Sequence, residues 1–256
     1  MMKSLARGLE ALQCFTPEAP ELRVKDVGDE LGIPIGSAYR TLATLEALGY
    51  LVQDPETKRY RLGLKVLDLG QACLAGLVFP DVALPFLEEL ARETGRAANM
   101  AVLDGAEIVF VARASVTRLL SVNLSVGSRL PSHCTSLGKV LLAELDAGEV
   151  ERLLGPSELR RYTPHTITSL ATLLSALADV RAQGFAVSRE ELELHLTTVA
   201  APVRDATGRA VAAINVAMFM APGEAAAAQE VAVPRLLHGA QVVSSALGYR
   251  PGRARS

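Results

Sequence analysis

Leu31-Gly-Ile-Pro-Ile-Gly-Ser-Ala-Tyr-Arg-Thr-Leu-Ala-Thr-Leu-Glu-Ala-Leu-Gly-Tyr50 decides the N-terminal fold. Ala38, Leu42 and Leu45 recur at helical spacing and predict the buried face of a helix from about Ser37 to Leu48, stopped by Gly49. Ser37, Arg40, Thr41 and Thr44 fall on the opposite face, which is small and hydrogen-bonding and lacks the Glu/Lys mixture of a merely solvated helix. Upstream, Val24, Val27 and Leu31 form the stripe of a short helix closed by Gly32, and Ile33-Pro34-Ile35-Gly36 is the turn between the two. Downstream, two β-type runs between Tyr50 and Leu62 flank the turn signal Asp54-Pro55-Glu56-Thr57. Helix, helix, turn, helix and hairpin in that order make a winged helix-turn-helix, which places its second helix in the DNA major groove.

That module assigns candidate DNA contacts. Arg40 suits a base edge or a phosphate, and Ser37 and Thr41 suit phosphates, with Thr44 beside them. Tyr39 either packs or touches the DNA backbone. On the hairpin, Lys58, Arg59 and Tyr60 are the wing candidates, followed by Arg61. Alternation puts Lys58, Tyr60 and Leu62 on one face and Arg59 and Arg61 on the other, so only one set can meet DNA. Residues 1–65 carry nine basic and nine acidic side chains, so affinity must come from charge placement and dimerisation.

Working outward, Ser4 is expected to cap a first helix whose apolar face is Leu5, Leu9, Leu12 and Phe15. Leu64, Leu67, Gln71 and Leu74 predict a connecting helix ended by Pro80, and Leu84, Leu87 and Leu90 predict another over 81–94. Asp104-Gly105 joins two strands, a further strand is expected over 119–124, and Thr135 or Ser136 caps a helix reaching Leu145. A helix over 170–183, strands over 185–189, 197–204 and 209–219, and an Ala-rich helix over 224–247 follow. Strands grouped with flanking helices predict an α+β domain on an antiparallel sheet.

Composition narrows the function classes. The chain has 256 residues, 50% of them apolar and 21% charged, with a net charge of −2. That charge argues against coating DNA through a global positive field. Aromatic residues make up 4% with no Trp, too few for a base-stacking platform. No stretch approaches the ~18 apolar residues of a membrane span, and no apolar segment follows Lys3 and Arg7. Cys14, Cys73 and Cys134 are widely spaced, as expected of a reduced cytoplasmic protein.

His133-Cys134 invites a nucleophile reading, but adjacent side chains diverge and no G-x-S-x-G elbow is present. No catalytic residue is therefore assigned. His165 and His195 complete no metal spacing, and no metal or cofactor is expected. Glu191 and Glu193 read as a solvated loop. Arg113, Arg118 and Arg129 suit either an effector carboxylate or surface ion pairs.

Several phrases in order carry a family resemblance: Ser4-Leu-Ala-Arg-Gly-Leu-Glu-Ala-Leu12, Ser37 to Tyr50, His133-Cys-Thr-Ser-Leu-Gly-Lys-Val-Leu-Leu-Ala143, Thr163-Pro-His-Thr-Ile-Thr168 and Ala200-Ala-Pro-Val-Arg-Asp205. Over nearly its whole length the chain resembles the IclR family of bacterial transcription regulators. Several of these phrases, together with Ser121-Val-Asn-Leu-Ser-Val-Gly-Ser-Arg-Leu-Pro131, look like the branch that senses aromatic acids such as protocatechuate or 4-hydroxybenzoate. The resemblance implies a winged helix-turn-helix over 1–63, a linker helix over 64–79, a GAF-like effector-binding domain over 80–249 and a disordered tail over 250–256. It implies homodimers, or dimers of dimers, on palindromic operator DNA. It implies a small organic acid held by Leu119, His133, Thr135, Ser136, Leu137, Ser188, Thr198 and Asn215, its carboxylate at the start of the Thr135–Gly138 helix. Thr198 departs from the family's usual Cys or Ser, His195 from Gly, and Asn215 from the Ser common outside the aromatic-acid branch. An aliphatic keto or hydroxy acid such as pyruvate or glyoxylate, a Cys134-dependent enzyme, and a constitutive DNA-binding protein with an empty regulatory domain are the alternatives.

Overall fold

The computed structural model describes residues 1–115, 124–155, 159–220 and 222–250. Leu119, Arg118, most of the strand expected over 119–124 and the tail beyond Arg250 lie outside the described residues. The chain divides into two compact units, Met1–Leu77 and Val78–Ser256.

The N-terminal unit runs α1 (Lys3–Gln13), β1 (Glu21–Leu22), α2 (Val24–Glu30), α3 (Ile35–Ala47), β2 (Leu51–Gln53), β3 (Tyr60–Leu62) and α4 (Lys65–Ala75). β3 lies between β1 and β2 in a small antiparallel sheet. Ala11, Phe15, Val27, Leu42, Leu45, Leu51 and Tyr60 close one core beneath these elements. Gly32 ends α2 at φ +60 and Gly49 follows α3 at φ +82, left-handed positions that cost glycine little. α3 starts at Ile35 rather than Ser37, because Pro34 occupies its N-cap at φ −58. Ser4 does not cap α1, which begins at Lys3 after an uncapped Met2. Leu5 and Leu9, expected in the core, are 60% and 56% exposed, because α1 packs through Ala11, Leu12 and Phe15.

The C-terminal unit begins with α5 (Val78–Thr94). Pro80 does not end the preceding helix. It sits in the first turn of α5, where a missing N–H costs nothing, and α4 stops earlier at Gly76. Next come β4 (Ala97–Asp104), β5 (Glu107–Ala114), β6 (Arg129–Pro131), α6 (Ser136–Leu142), α7 (Ala147–Leu154), α8 (Leu170–Gln183), β7 (Ala186–Arg189), β8 (Leu196–Arg204), β9 (Ala210–Phe219) and α9 (Pro222–Ala246). The sheet order is β6-β5-β4-β9-β8-β7, antiparallel at every step. The α+β class and antiparallel sheet are as expected. α5 and α9 pack on the sheet, and α6 packs on it with α8 alongside, closing a core of Leu137, Leu141, Leu173, Leu177, Ala200 and Ala213. Among the described residues no single helix is long and apolar enough to cross a membrane.

Two local features position the cavity described below. Gly138 in α6 lies against the Ser132 backbone so closely that any Cβ would overlap the Ser132 carbonyl. This approach seats α6 on the chain leaving β6. The second feature is a β-bulge. Ala101 pairs with Phe110 but Met100 with Ala112, leaving Val111 unpaired. The extra residue shifts the side-chain alternation of β5, so Ile108, Phe110, Arg113 and Ser115 all reach one cavity.

Candidate functional site

On the N-terminal unit, Tyr39, Arg40 and Thr44 are exposed along α3, and Ser37 and Thr41 are half-buried beside them. Arg40 Nη2 donates to Ser37 Oγ at 3.2 Å. Thr41 and Thr44 donate their hydroxyls to the carbonyls of Ser37 and Arg40, four residues back. Their hydroxyl protons are thus spent within the helix, which leaves the oxygens only as acceptors, and Arg40 is the cationic donor of this face.

The wing divides differently from the expectation. Tyr60 is 1% exposed and belongs to the core, so it presents nothing to DNA. Arg59 is tied down, its Nη1 donating to the Glu21 carbonyl at 3.3 Å. Lys58 sits at the tip with φ +56 and is exposed, as is Arg61. The turn below them is held by Asp54, whose Oδ1 accepts the N–H groups of Glu56 and Thr57. Those bonds, Thr57's first, hold its carboxyl below the usual range. Lys58 and Arg61 are thus the wing cations available to a phosphate, one from each of the two faces that strict alternation separates.

The C-terminal unit holds a cavity of about 240 Å³ between the sheet and α6. Ligand sites commonly measure about 300–1,000 Å³, so this one suits a small metabolite. Its floor is two rows of cross-strand neighbours. Arg113, Asn99 and Asn215 form one row across β5, β4 and β9. Ala97, Ala217, Thr198 and Ser188 form the next across β4, β9, β8 and β7. The two alanines leave the floor open, and Leu137, Phe110 and Leu130 supply apolar walls.

Of the predicted ligand residues, Thr135, Leu137, Ser188, Thr198 and Asn215 line this cavity. Ser136 does not line it but is 0% exposed and donates to Thr198 Oγ1 at 2.7 Å, which leaves the Thr198 proton for the cavity. Ser188 Oγ donates to the Cys134 carbonyl at 3.1 Å, leaving its lone pairs. His133 corrects the expectation. It turns away, its Nε2 3.0 Å from the Arg160 carbonyl and its ring beside Tyr162, and it is not among the lining residues. Burial pushes its imidazole below the ordinary value. The start of α6 spends one N–H internally, because Gly138 N donates to Thr135 Oγ1 at 3.2 Å. Asn99 and Arg96 were missed; Asn99 is a buried polar residue inside an apolar strand, which was the available signal.

Behind the cavity, Lys139 and Glu191 form an ion pair with side chains 4% and 9% exposed. Glu191 is therefore not the solvated loop residue expected. Its carbonyl also accepts from Thr166 Oγ1 at 2.6 Å, and the following Leu192 and Glu193 line the cavity. Arg129 joins Asp104 and Glu107 at the surface. Cys134 is fully buried, and burial pushes its thiol up to about 12, so it stays protonated. Among the described residues no group of three or more His, Cys, Asp or Glu side chains is placed to hold a metal ion.

Comparison with known proteins agrees with both halves. The model of the IclR helix-turn-helix domain matches residues 4–55, and that of the bacterial transcriptional regulator IclR C-terminal domain matches residues 71–244. The Pca regulon regulatory protein of Pseudomonas putida is 41% identical over 216 residues, covering 84% of this chain and 74% of that protein. The p-hydroxybenzoate hydroxylase transcriptional activator of Acinetobacter baylyi is 38% identical over 216 residues, covering 82% and 79%. An IclR homolog from Microbacterium hydrocarbonoxydans, solved in complex with 4-hydroxybenzoate, superposes with a TM-score of 0.81 at 27% identity, covering 96% of this chain and 99% of that one. With a helix-turn-helix at one end and a cavity-bearing antiparallel sheet at the other, the chain belongs to the IclR family of bacterial transcriptional regulators.

Proposed function

We propose that the C-terminal cavity binds a small aromatic carboxylic acid and that this binding changes how the winged helix-turn-helix holds operator DNA. The observation that carries the reading is the cavity itself, with an open alanine floor, apolar walls and the cations Arg96 and Arg113 on its lining. Two similar regulators named for aromatic catabolism, and a similar structure holding 4-hydroxybenzoate, support the ligand class. The guanidinium groups and the Thr198 hydroxyl supply donors for a carboxylate. The ligand must prefer one arrangement of the protein, or nothing changes at the DNA. A short keto or hydroxy acid such as pyruvate or glyoxylate is the second reading, favoured by the modest volume.

On the DNA side, Arg40, Lys58 and Arg61 are the proposed cationic contacts, with Ser37, Tyr39, Thr41 and Thr44 on the same exposed helix. The active form is a homodimer, or a dimer of dimers, on a palindromic operator with half-sites about one turn, ~10 bp, or a multiple apart. Leu64 at the N-cap of α4 and Leu67 and Leu69 within it, 79%, 60% and 56% exposed, support self-association of the N-terminal unit. We place the protein in the cytoplasm, and Cys134, buried with its thiol held protonated, does not serve as a nucleophile.

A thermal-shift screen tests the ligand class, using protocatechuate, 4-hydroxybenzoate, benzoate, phenylacetate, pyruvate and glyoxylate. At 100 times its Kd, a true ligand adds about 2.7 kcal/mol of stability. A shift confined to aromatic acids and lost in Thr198→Ala supports the reading. A shift confined to pyruvate or glyoxylate overturns the aromatic class.

A further inference from the structure

Asn99 on β4 and Asn215 on β9 are direct cross-strand partners, 3% and 5% exposed, and both line the cavity. Asn99 Nδ2 donates to Asn215 Oδ1 at 2.8 Å. Asn99 Oδ1 is then a buried acceptor with no partner among the described residues. An unsatisfied buried acceptor is costly, and here it borders an open cavity. The chemistry of the pair survives reversal of both amides. One side chain always donates to the other, so one amide oxygen and one NH2 group are left over.

We propose that Asn99, with Asn215, is the specificity determinant for a ring hydroxyl on the effector, reading a group that both donates and accepts a hydrogen bond. The inference rests on the aromatic-acid reading above and adds the substituent. A hydroxyl gives its proton to the free amide oxygen and accepts from the free NH2. A carboxylate has only acceptors, so it would set an anion against that oxygen. A bare ring C–H would leave both amide groups dry. The carboxylate is left to the donors elsewhere on the lining, Arg96, Arg113 and the Thr198 hydroxyl. The neighbouring floor positions, Ala97 and Ala217, give the ring a flat apolar surface between these groups.

The magnitude follows from the cost of leaving buried polar groups unpaired, which corresponds to about tenfold to a hundredfold in affinity. The experiment is calorimetric titration of the full chain with benzoate, with 2-, 3- and 4-hydroxybenzoate, and with pyruvate and glyoxylate. Asn99→Leu removes both hydrogen-bonding functions at similar volume. Asn99→Ala is the second variant, and the melting point without ligand confirms that each is folded. The readout is the affinity ratio of the best hydroxybenzoate to benzoate. The expected ratio is about ten or more in the native protein, falling towards one in either variant. Equal affinities for benzoate and the hydroxybenzoates in the native protein overturn the amide reader while leaving the aromatic-acid reading standing. So does a ratio that persists in the variants, because the hydroxyl is then read elsewhere. Binding of pyruvate or glyoxylate with no ring acid bound at all overturns the underlying reading, and the amide reader with it.

Discussion

Lys139→Met cuts into the cavity's support without touching its lining. The methionine keeps the length and apolar stem of the lysine and removes the charge. What remains is the Glu191 carboxylate, 9% exposed, with Oε2 without a partner among the described residues and Oε1 now losing Lys139. Removing one partner of a buried pair costs about 3–5 kcal/mol, because the other charge is left uncompensated. For a unit of this size each 1 kcal/mol moves the melting point by about 2–4 °C, so the C-terminal transition should fall by roughly 6–20 °C. Replacing both partners, Lys139→Met with Glu191→Leu, removes the stranded charge and should return stability to within about 1–2 kcal/mol of the native protein. The backbone bond from Thr166 to the Glu191 carbonyl survives both substitutions. Calorimetry of the four proteins closes the cycle. A single variant that loses less than about 1 kcal/mol, or a double variant that loses the sum of the two singles, would refute the buried pair as the anchor of the 190–195 loop.

Other predictions follow from single observations. Burial lowers the His133 pKa in the folded state, so the unfolded chain takes up the proton first as pH falls. Stability present above the unfolded value of ~6.5 is then lost on acidification below it. His133→Gln should lose less between pH 7 and pH 5 in thermal melts, and equal losses would contradict the assignment. His195 adopts φ +65 with its side chain exposed, so His195→Gly should be neutral or stabilising by up to about 1 kcal/mol in denaturant unfolding. Lys58→Ala and Arg61→Ala should each reduce the salt slope of DNA binding by about one, whereas Tyr60→Phe should leave the slope unchanged. An unchanged slope in both alanine variants would remove the wing from the interface.

Legibility in the sequence followed the range of the interactions. α3, its preceding turn and the wing were readable because Ala38, Leu42 and Leu45, Gly49 and the Asp54–Thr57 turn are local signals. The hairpin at Asp104-Gly105 and the α8 stop at Gly184 were readable for the same reason. β1 and β6, two and three residues long, exist only through pairing with distant strands. α7 was overlooked despite a local signal, the capping box of Asp146 and Glu149. The cavity was legible in part. Thr198, Ser188 and Asn215 came from motif resemblance and Arg113 from its charge, but Asn99 was missed, and these residues meet only through register and a bulge, which no local pattern encodes. His133 and Glu191 show the converse. Their types suggested ligand contact and solvent, and tertiary packing gave one to the Arg160 carbonyl and the other to Lys139. The glycine that the resemblance implies at position 195 would suit the left-handed backbone that His195 adopts.

The central claim is that an acid in the C-terminal cavity governs DNA binding by the N-terminal unit. The direct measurement is fluorescence anisotropy of a duplex selected from random-sequence DNA, titrated with the full chain at fixed salt, with and without saturating 4-hydroxybenzoate. The account predicts that the acid moves the binding midpoint by about fivefold or more in either direction, and that Asn215→Ala abolishes the shift while leaving ligand-free DNA affinity intact. Coincident titrations under conditions where the same acid raises the melting point would show that cavity and DNA face are uncoupled, and would contradict the account.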